Sequence, residues 1–237
     1  MISTNIGVTH KFPPKFTLVI GNKNYSSWSM RPWLALAGRG IPFAEVLIPL
    51  DHPNTKQQVL QYSPTGQVPV MKYGQLLVWD SLAIVEYVND MHPEAGLWPQ
   101  ELEYRAVARA LCAEIHSGFQ AFRQACPMNL RRRQAGRLTS QADQDVLRMV
   151  NYWRQLRLSA GGSGPFLFGE FGAVDAFFAP LASRIRSYEI PVDRVANEYI
   201  DAIYNFPAFQ KWYQAAIAEP WKIASVDGTD RSGIQRR

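Results

Sequence analysis

The sequence predicts an α/β domain followed by an all-α domain. Three observations carry that expectation. The first ninety residues alternate short apolar, β-branched runs with helical-looking stretches in the order βαβαββα. The segment His92-Pro93-Glu94-Ala95-Gly96-Leu97-Trp98-Pro99 then breaks the pattern with prolines and a glycine. Beyond it, apolar residues recur at helical spacing and no segment reads convincingly as a strand. The expected boundaries are a loose arm over 1–15, the α/β unit over 16–92, a linker over 93–101 and the helical unit over 102–237.

Phe16–Ile20 is apolar and rich in β-branched residues, and stops at Gly21-Asn22, so it reads as the first strand. A helix is expected over Arg31–Gly40, which carries Leu34, Ala35, Leu36 and Ala37 and ends on Gly38-Arg39-Gly40. Phe43–Ile48 reads as a second strand, and Asn54–Gln61 as a short helix after Asp51-His52-Pro53. Val68–Lys72 and Leu76–Trp79 read as strands joined by the tight hairpin Tyr73-Gly74-Gln75. Ser81–Met91 follows as a helix, with Asp80 and Ser81 at its start and Pro93 past its end. In the second half, Val107, Leu111, Ile115, Phe119 and Phe122 fall three or four residues apart, which is one face of a long helix. Val146–Leu158 and Ile200–Ile217 are further amphipathic candidates. Val174–Ala182 is apolar around its whole circumference and predicts a buried central helix.

Composition narrows the function classes. At 237 residues, 47% hydrophobic and 19% charged, the chain has the make-up of an ordinary globular protein with room for two small cores. It has no run of about 18 apolar residues, so no membrane helix is expected. Met1–Lys15 is polar with Pro13-Pro14, which argues against a secretory signal. Cys112 and Cys126 lie in what reads as one helix and its end, about 21 Å apart along the axis. That exceeds disulfide reach, so a reduced, cytoplasmic protein is expected. The net charge of +5 owes much to Arg131-Arg132-Arg133, Arg137 and the terminal Arg236-Arg237. The triple arginine falls in a polar, loop-like stretch and reads as a solvated turn rather than a nucleic-acid patch.

Three short signals carry chemistry. Ser26-Ser27-Trp28-Ser29-Met30-Arg31 lies between the first strand and its helix, where hydroxyls and free backbone N–H groups suit a thiolate or another anion. Gln67-Val68-Pro69 opens a strand with proline, and a cis bond there presents the Val68 backbone to an extended ligand. Asp80-Ser81 precedes an apolar helix, where Ser81 and free N–H groups suit a ligand carboxylate and Asp80 an ammonium, alongside or instead of helix capping. Only four histidines occur, at 10, 52, 92 and 116, so a hydrolase triad and a metal site are not expected.

Read together, these segments resemble the cytosolic glutathione S-transferase superfamily over nearly the whole chain. Ser26-Ser27-Trp28-Ser29-Met30-Arg31 is similar to the serine-rich segment of the zeta-class, maleylacetoacetate isomerase branch, which usually has cysteine where Trp28 stands. The resemblance implies a thioredoxin-like N-terminal domain with a cis-proline at Pro69 and an all-helical C-terminal domain. It implies that Ser26, with Ser27 as the neighbouring candidate, activates the glutathione thiol. Val68 then pairs with the cysteinyl backbone, Asp80 and Ser81 hold the γ-glutamyl end, and Gln67 supports it. His116, Phe119 and Arg123 are the expected electrophile pocket, with Phe119 and Phe122 equally assignable to the core. The implied activity is transfer of glutathione, a co-substrate used without a metal, to a small hydrophobic electrophile. A maleylacetoacetate-type isomerase and a non-catalytic binding or stress module are the alternatives. The implied assembly is a homodimer without nucleic-acid or membrane partners. The family usually caps its buried helix with Ser or Thr three residues before the aspartate at position 175; here Gly172 stands there, so that capping bond is expected to be missing.

Overall fold

The computed structural model describes residues 15–159 and 164–228. The expected N-terminal arm, apart from Lys15, and Arg236-Arg237 lie outside the described residues. The strands are β1 (Phe16–Ile20), β2 (Phe43–Leu47), β3 (Val70–Tyr73) and β4 (Leu76–Val78), in the sheet order β2-β1-β3-β4. β1 runs parallel to β2 and antiparallel to β3, and β3 runs antiparallel to β4. Tyr73 pairs with Leu76, which leaves Gly74 and Gln75 as the turn; Gly74 has φ +59, a region glycine adopts without steric cost.

The alternation of side chains along β1 sets the layers. Phe16, Leu18 and Ile20 point into the main core, while Val19 joins a smaller cluster with Ile48, Val59 and Val70 on the other face. The helix on that second face is α2 (Thr55–Leu60). On the main-core face lie α1 (Ser27–Gly38) and α3 (Ser81–Met91). The second half holds α4 (Leu102–Ser117), α5 (Gln120–Ala125), α6 (Ser140–Ser159), α7 (Ala173–Ser187), α8 (Arg194–Asn205), α9 (Pro207–Ala218) and α10 (Ala224–Asp227). Helix α1 packs against α3, α7 and α9, so both halves of the chain close on it.

The apolar circumference of 174–182 does mark a buried helix: every residue from Val174 to Ala182 on α7 is buried. Asp175 inside it is fully buried and accepts from Leu167 N at 3.2 Å, Gly172 N at 2.9 Å and Tyr199 Oη at 2.9 Å. Burial pushes its carboxyl up to about 6, even though the three donors favour the charged form. Gly172 has no side chain to return the bond, so only half of a capping box exists here, as the sequence implied. The segment 93–101 is more than a tether. It begins with a 3-10 turn, Pro93–Ala95, buries Leu97 and Trp98, and Leu97 O accepts from Ala173 N at the head of α7.

Several expectations need correction. The long helix through Val107 and Phe122 is two helices, broken where Gly118 is extended and Phe119 takes φ +54. A Cβ on Gly118 would come within 2.7 Å of the Glu114 carbonyl oxygen, so the break relies on glycine. Val107 is exposed rather than core, whereas Phe119 and Phe122 are buried. Cys112 consequently sits in α4 and Cys126 just past the end of α5, both as free buried thiols. Ile200–Ile217 also divides, at Phe206, because Pro207 starts a new helix at its first position. The triple arginine is not a simple solvated turn. Arg132 is buried, and Arg131 reaches the carbonyls of Glu219 and Trp221. Helix α1 begins four residues before the expected Arg31, at Ser27.

Candidate functional site

Two clefts meet at the N-terminal end of α1. The first, about 490 Å³, is lined by Gln67, Val68, Pro69, Asp80, Ser81 and Trp79 on the sheet side, with Leu50, Thr55 and Val59 below. The second, about 620 Å³, is lined by Ser27, Tyr25, Gln120, Arg123, Gln124 and Arg184, with Met128 and Val226. Trp28 and His116 line both.

The Val68–Pro69 bond is cis, and Val68 lies at the cleft wall just before β3. Its backbone makes no hydrogen bond to another described residue, so its donor and acceptor are available to an extended ligand. At the head of α3, Asp80 is the N-cap: its Oδ1 accepts from Leu82 N at 2.9 Å and Ala83 N at 3.4 Å. Ser81 is fully buried, and its hydroxyl has no hydrogen-bond partner among the described residues. A buried hydroxyl left unpaired costs free energy on the order of 1–3 kcal/mol, and a ligand oxygen in the cleft removes that cost. Asp80 thus caps with Oδ1, while its Oδ2 lies 3.1 Å from His116 Nε2 at the cleft wall.

The serines divide the work differently. Ser26 is the N-cap of α1; its Oγ accepts from Ser29 N at 3.3 Å and donates to Ser29 Oγ at 2.8 Å. Ser29 Oγ in turn accepts from Gly21 N. Ser27, the first residue of the helix, lines the second cleft and has no side-chain hydrogen bond to another described residue. Both serines are 7% exposed, but of the two candidate hydroxyls only Ser27's lines a cleft without a hydrogen bond to another described residue, beside the positive end of the α1 dipole.

Sequence reading missed the pairing across the cleft. His116 Nε2 on α4 lies 3.1 Å from Asp80 Oδ2, and the His116 ring meets Trp28 edge-on at 4.8 Å. Residues 36 positions apart leave no periodic signal of such a contact. Arg31 Cζ lies 4.0 Å and Arg123 Cζ 4.9 Å from the Trp28 ring centre, so two cations stack on one indole. Arg31 is 1% exposed, and its Nε and Nη1 have no hydrogen-bond partner among the described residues. Burial first, then the Arg123 and Arg184 charges, push its guanidinium down to about 9. Arg184 is pushed down to about 10 by burial and then by Arg123. Among the described residues, the Arg123 guanidinium hydrogen-bonds the carbonyls of His116 and Gly118. Phe119, expected in the electrophile pocket, instead turns into the core at the α4–α5 break and is covered by Arg148, 4.8 Å from its ring centre. Among the described residues no group of His, Cys, Asp and Glu is arranged to hold a metal ion, and no helix is long and apolar enough to cross a membrane.

The fold is a four-stranded mixed sheet with a cis-proline just before β3, joined to a helical half whose α4 brings His116 to both clefts. Residues 25–91 match the family model described as "Glutathione S-transferase, N-terminal domain". A probable maleylacetoacetate isomerase of Caenorhabditis elegans is 32% identical over 95 residues, 40% of this chain and 44% of that protein. Glutathione S-transferase 1 of Dianthus caryophyllus is 28% identical over 159 residues, 65% of this chain and 71% of that protein. The chain thus spans under half the length of the first of these relatives. A Burkholderia glutathione transferase homolog, solved with bound glutathione, superposes with a TM-score of 0.65 at 22% identity, covering 86% of this chain and 98% of that one. The fold is therefore the glutathione transferase fold.

The electrostatics of His116 are testable. Burial lowers its pKa and outweighs the opposing Asp80 charge, while Arg31 and Arg123 push the same way as burial. Asp80 Oδ2, 3.1 Å from Nε2, favours the charged ring and only partly offsets the burial. As the folded value lies below the unfolded value near 6.5, burial of the neutral ring contributes stability above that pH, and this stability is lost as pH falls through the folded value. An NMR titration is expected to give a His116 midpoint below 6.5, and Arg123→Leu is expected to raise it. A wild-type midpoint above 6.5 contradicts this assignment.

Proposed function

We propose that the protein is a glutathione transferase that takes glutathione in the first cleft and an electrophile in the second, with Ser27 donating to the sulfur. The observation that carries this reading is the meeting of the two clefts at Trp28 and His116, with Ser27 on the lining of the second. The unit 16–92 holds glutathione: Val68 pairs with its cysteinyl backbone, Gln67 flanks it, the Ser81 hydroxyl meets its γ-glutamyl carboxylate, and Asp80 accepts from its ammonium. The unit 102–237 supplies the electrophile wall through His116 and Arg123, with 93–101 joining the two. Assembly as a two-fold homodimer and a cytoplasmic location belong to the same reading, by likeness to the family.

The chemistry follows from where charge develops. A free thiol has a pKa near 8.5, and only its thiolate attacks an electrophile. A hydroxyl donating to sulfur, the N-terminus of α1 and the cations on Trp28 all favour the anion. Lowering the thiol by about 1.5 units, to near neutrality, requires about 2 kcal/mol of differential stabilisation. Ser26 contributes one step back, because its bonds to Ser29 fix the first turn from which Ser27 projects.

Ser27→Ala is expected to lower kcat for conjugation about tenfold or more with glutathione affinity nearly unchanged, since the bond strengthens as the anion forms. Activity within about threefold of wild type in both Ser27→Ala and Ser26→Ala contradicts hydroxyl activation.

A second reading, glutathione-dependent isomerisation, is favoured by the relatives named maleylacetoacetate isomerase. It is also favoured by the second cleft, whose lining contains Arg123 and Arg184 and no acidic residue. Both readings share an acceptor that carries a carboxylate. Arg123→Leu is expected to cost carboxylated acceptors about tenfold in kcat/KM and neutral ones little. An equal loss on both, or no loss on either, shows that Arg123 does not read acceptor charge.

A further inference from the structure

The loop that presents the serines is held by the far end of the chain. Between β1 and Ser26 the residues Asn22, Lys23, Asn24 and Tyr25 are all buried. Lys23 N–H donates to Glu219 Oε1 at 2.7 Å and Asn24 N–H to Glu219 Oε2 at 3.1 Å, so one carboxylate takes two successive backbone donors. The Lys23 carbonyl accepts from Trp212 Nε1 at 3.0 Å. Tyr25 Oη donates to the Asp227 carboxylate at 2.9 Å and accepts from Arg131 Nη2 at 2.8 Å. Arg131 also holds the strap itself, donating to Glu219 O at 2.8 Å and Trp221 O at 2.6 Å. The three residues immediately before Ser26 are thus each tied to α9 or to the segment that follows it, about 195 positions away.

We propose that Glu219 is a positioning residue for sulfur activation: its carboxylate fixes the Lys23-Asn24 backbone and, through it, the place of the Ser27 hydroxyl. This rests on the reading of Ser27 as the sulfur's donor. The arrangement needs a carboxylate, because both oxygens must accept. A glutamine offers one carbonyl oxygen and turns its NH2 toward the other backbone N–H, two donors facing each other. The loop must then move, and a displacement of about 1 Å at a reacting group costs on the order of a hundredfold in rate. Glutathione capture at Val68, Asp80 and Ser81 lies on other segments and is left in place. A purely structural role would lower stability without changing the thiol.

The experiment uses Glu219→Gln and Glu219→Asp in the full chain. It measures kcat and KM for glutathione, the thiol pKa of bound glutathione from its thiolate absorbance, and amide hydrogen exchange at Lys23 and Asn24. Glu219→Gln is expected to lower kcat at least about tenfold, hold KM for glutathione within about threefold, raise the thiol pKa and speed exchange at both amides. Glu219→Asp keeps the charge but retracts it by one methylene, so its kcat is expected to fall between the two. An unchanged thiol pKa with unchanged exchange in both variants overturns the proposal, as does a loss of kcat matched by an equal loss of glutathione affinity. If the wild type binds glutathione without forming a thiolate, the reading of Ser27 fails instead, and the exchange measurement still reports on the clamp.

Discussion

Everything at this site depends on the burial of α1. The helix is closed over by α3, α7 and α9, and its residues from Ser29 to Leu36 are all buried. A helix packed on several sides cannot slide or tilt without opening cavities in the core, where deleting a large side chain costs about 2–5 kcal/mol. Its N-terminal end is therefore a fixed point in space. Ser27, Trp28 and the free end of the helix dipole inherit that fixity, and both clefts are measured from it. The site is rigid because its platform is core.

The same burial explains the unusual charge arrangement. Arg31 is on α1, so packing that helix drags a guanidinium into the interior beneath Trp28. Arg184 is on the central helix α7, and among the described residues its guanidinium finds carbonyl partners, Cys126 O and Pro180 O. With Arg123 they raise the local positive potential, and the lowered pKa values of all three record the strain of holding cations there. Uncompensated buried charge is expensive in a fold that needs only stability. A site that stabilises an anion makes use of it.

The sequence made legible those features set by local pattern. The Asp80-Ser81 boundary, the hairpin at Gly74-Gln75 and the all-round apolar α7 follow from capping, turn chemistry and periodicity, and they appear where those signals lie. The break at Gly118-Phe119 was hidden because the apolar spacing runs on through it to Phe122, and a lone glycine does not by itself end a helix. Arg131 and Arg132 looked solvated because charge and local polarity say nothing about carbonyls supplied from residues 219 and 221. The His116–Asp80 pair and the Glu219 clamp are long-range contacts of single residues, which leave no periodic trace in one sequence. Fold was read from repetition; the fine placement of the site came from contacts that do not repeat.

The central claim is that glutathione lies along the first cleft with its sulfur at the head of α1. A crystal structure of the protein with glutathione bound tests it most directly. The account predicts the sulfur within hydrogen-bond reach of Ser27 Oγ, the cysteinyl backbone paired with Val68 and the γ-glutamyl carboxylate on the Ser81 hydroxyl. Glutathione lying wholly in the Arg123–Arg184 cleft, or bound in the first cleft with its sulfur turned away from α1, would contradict it.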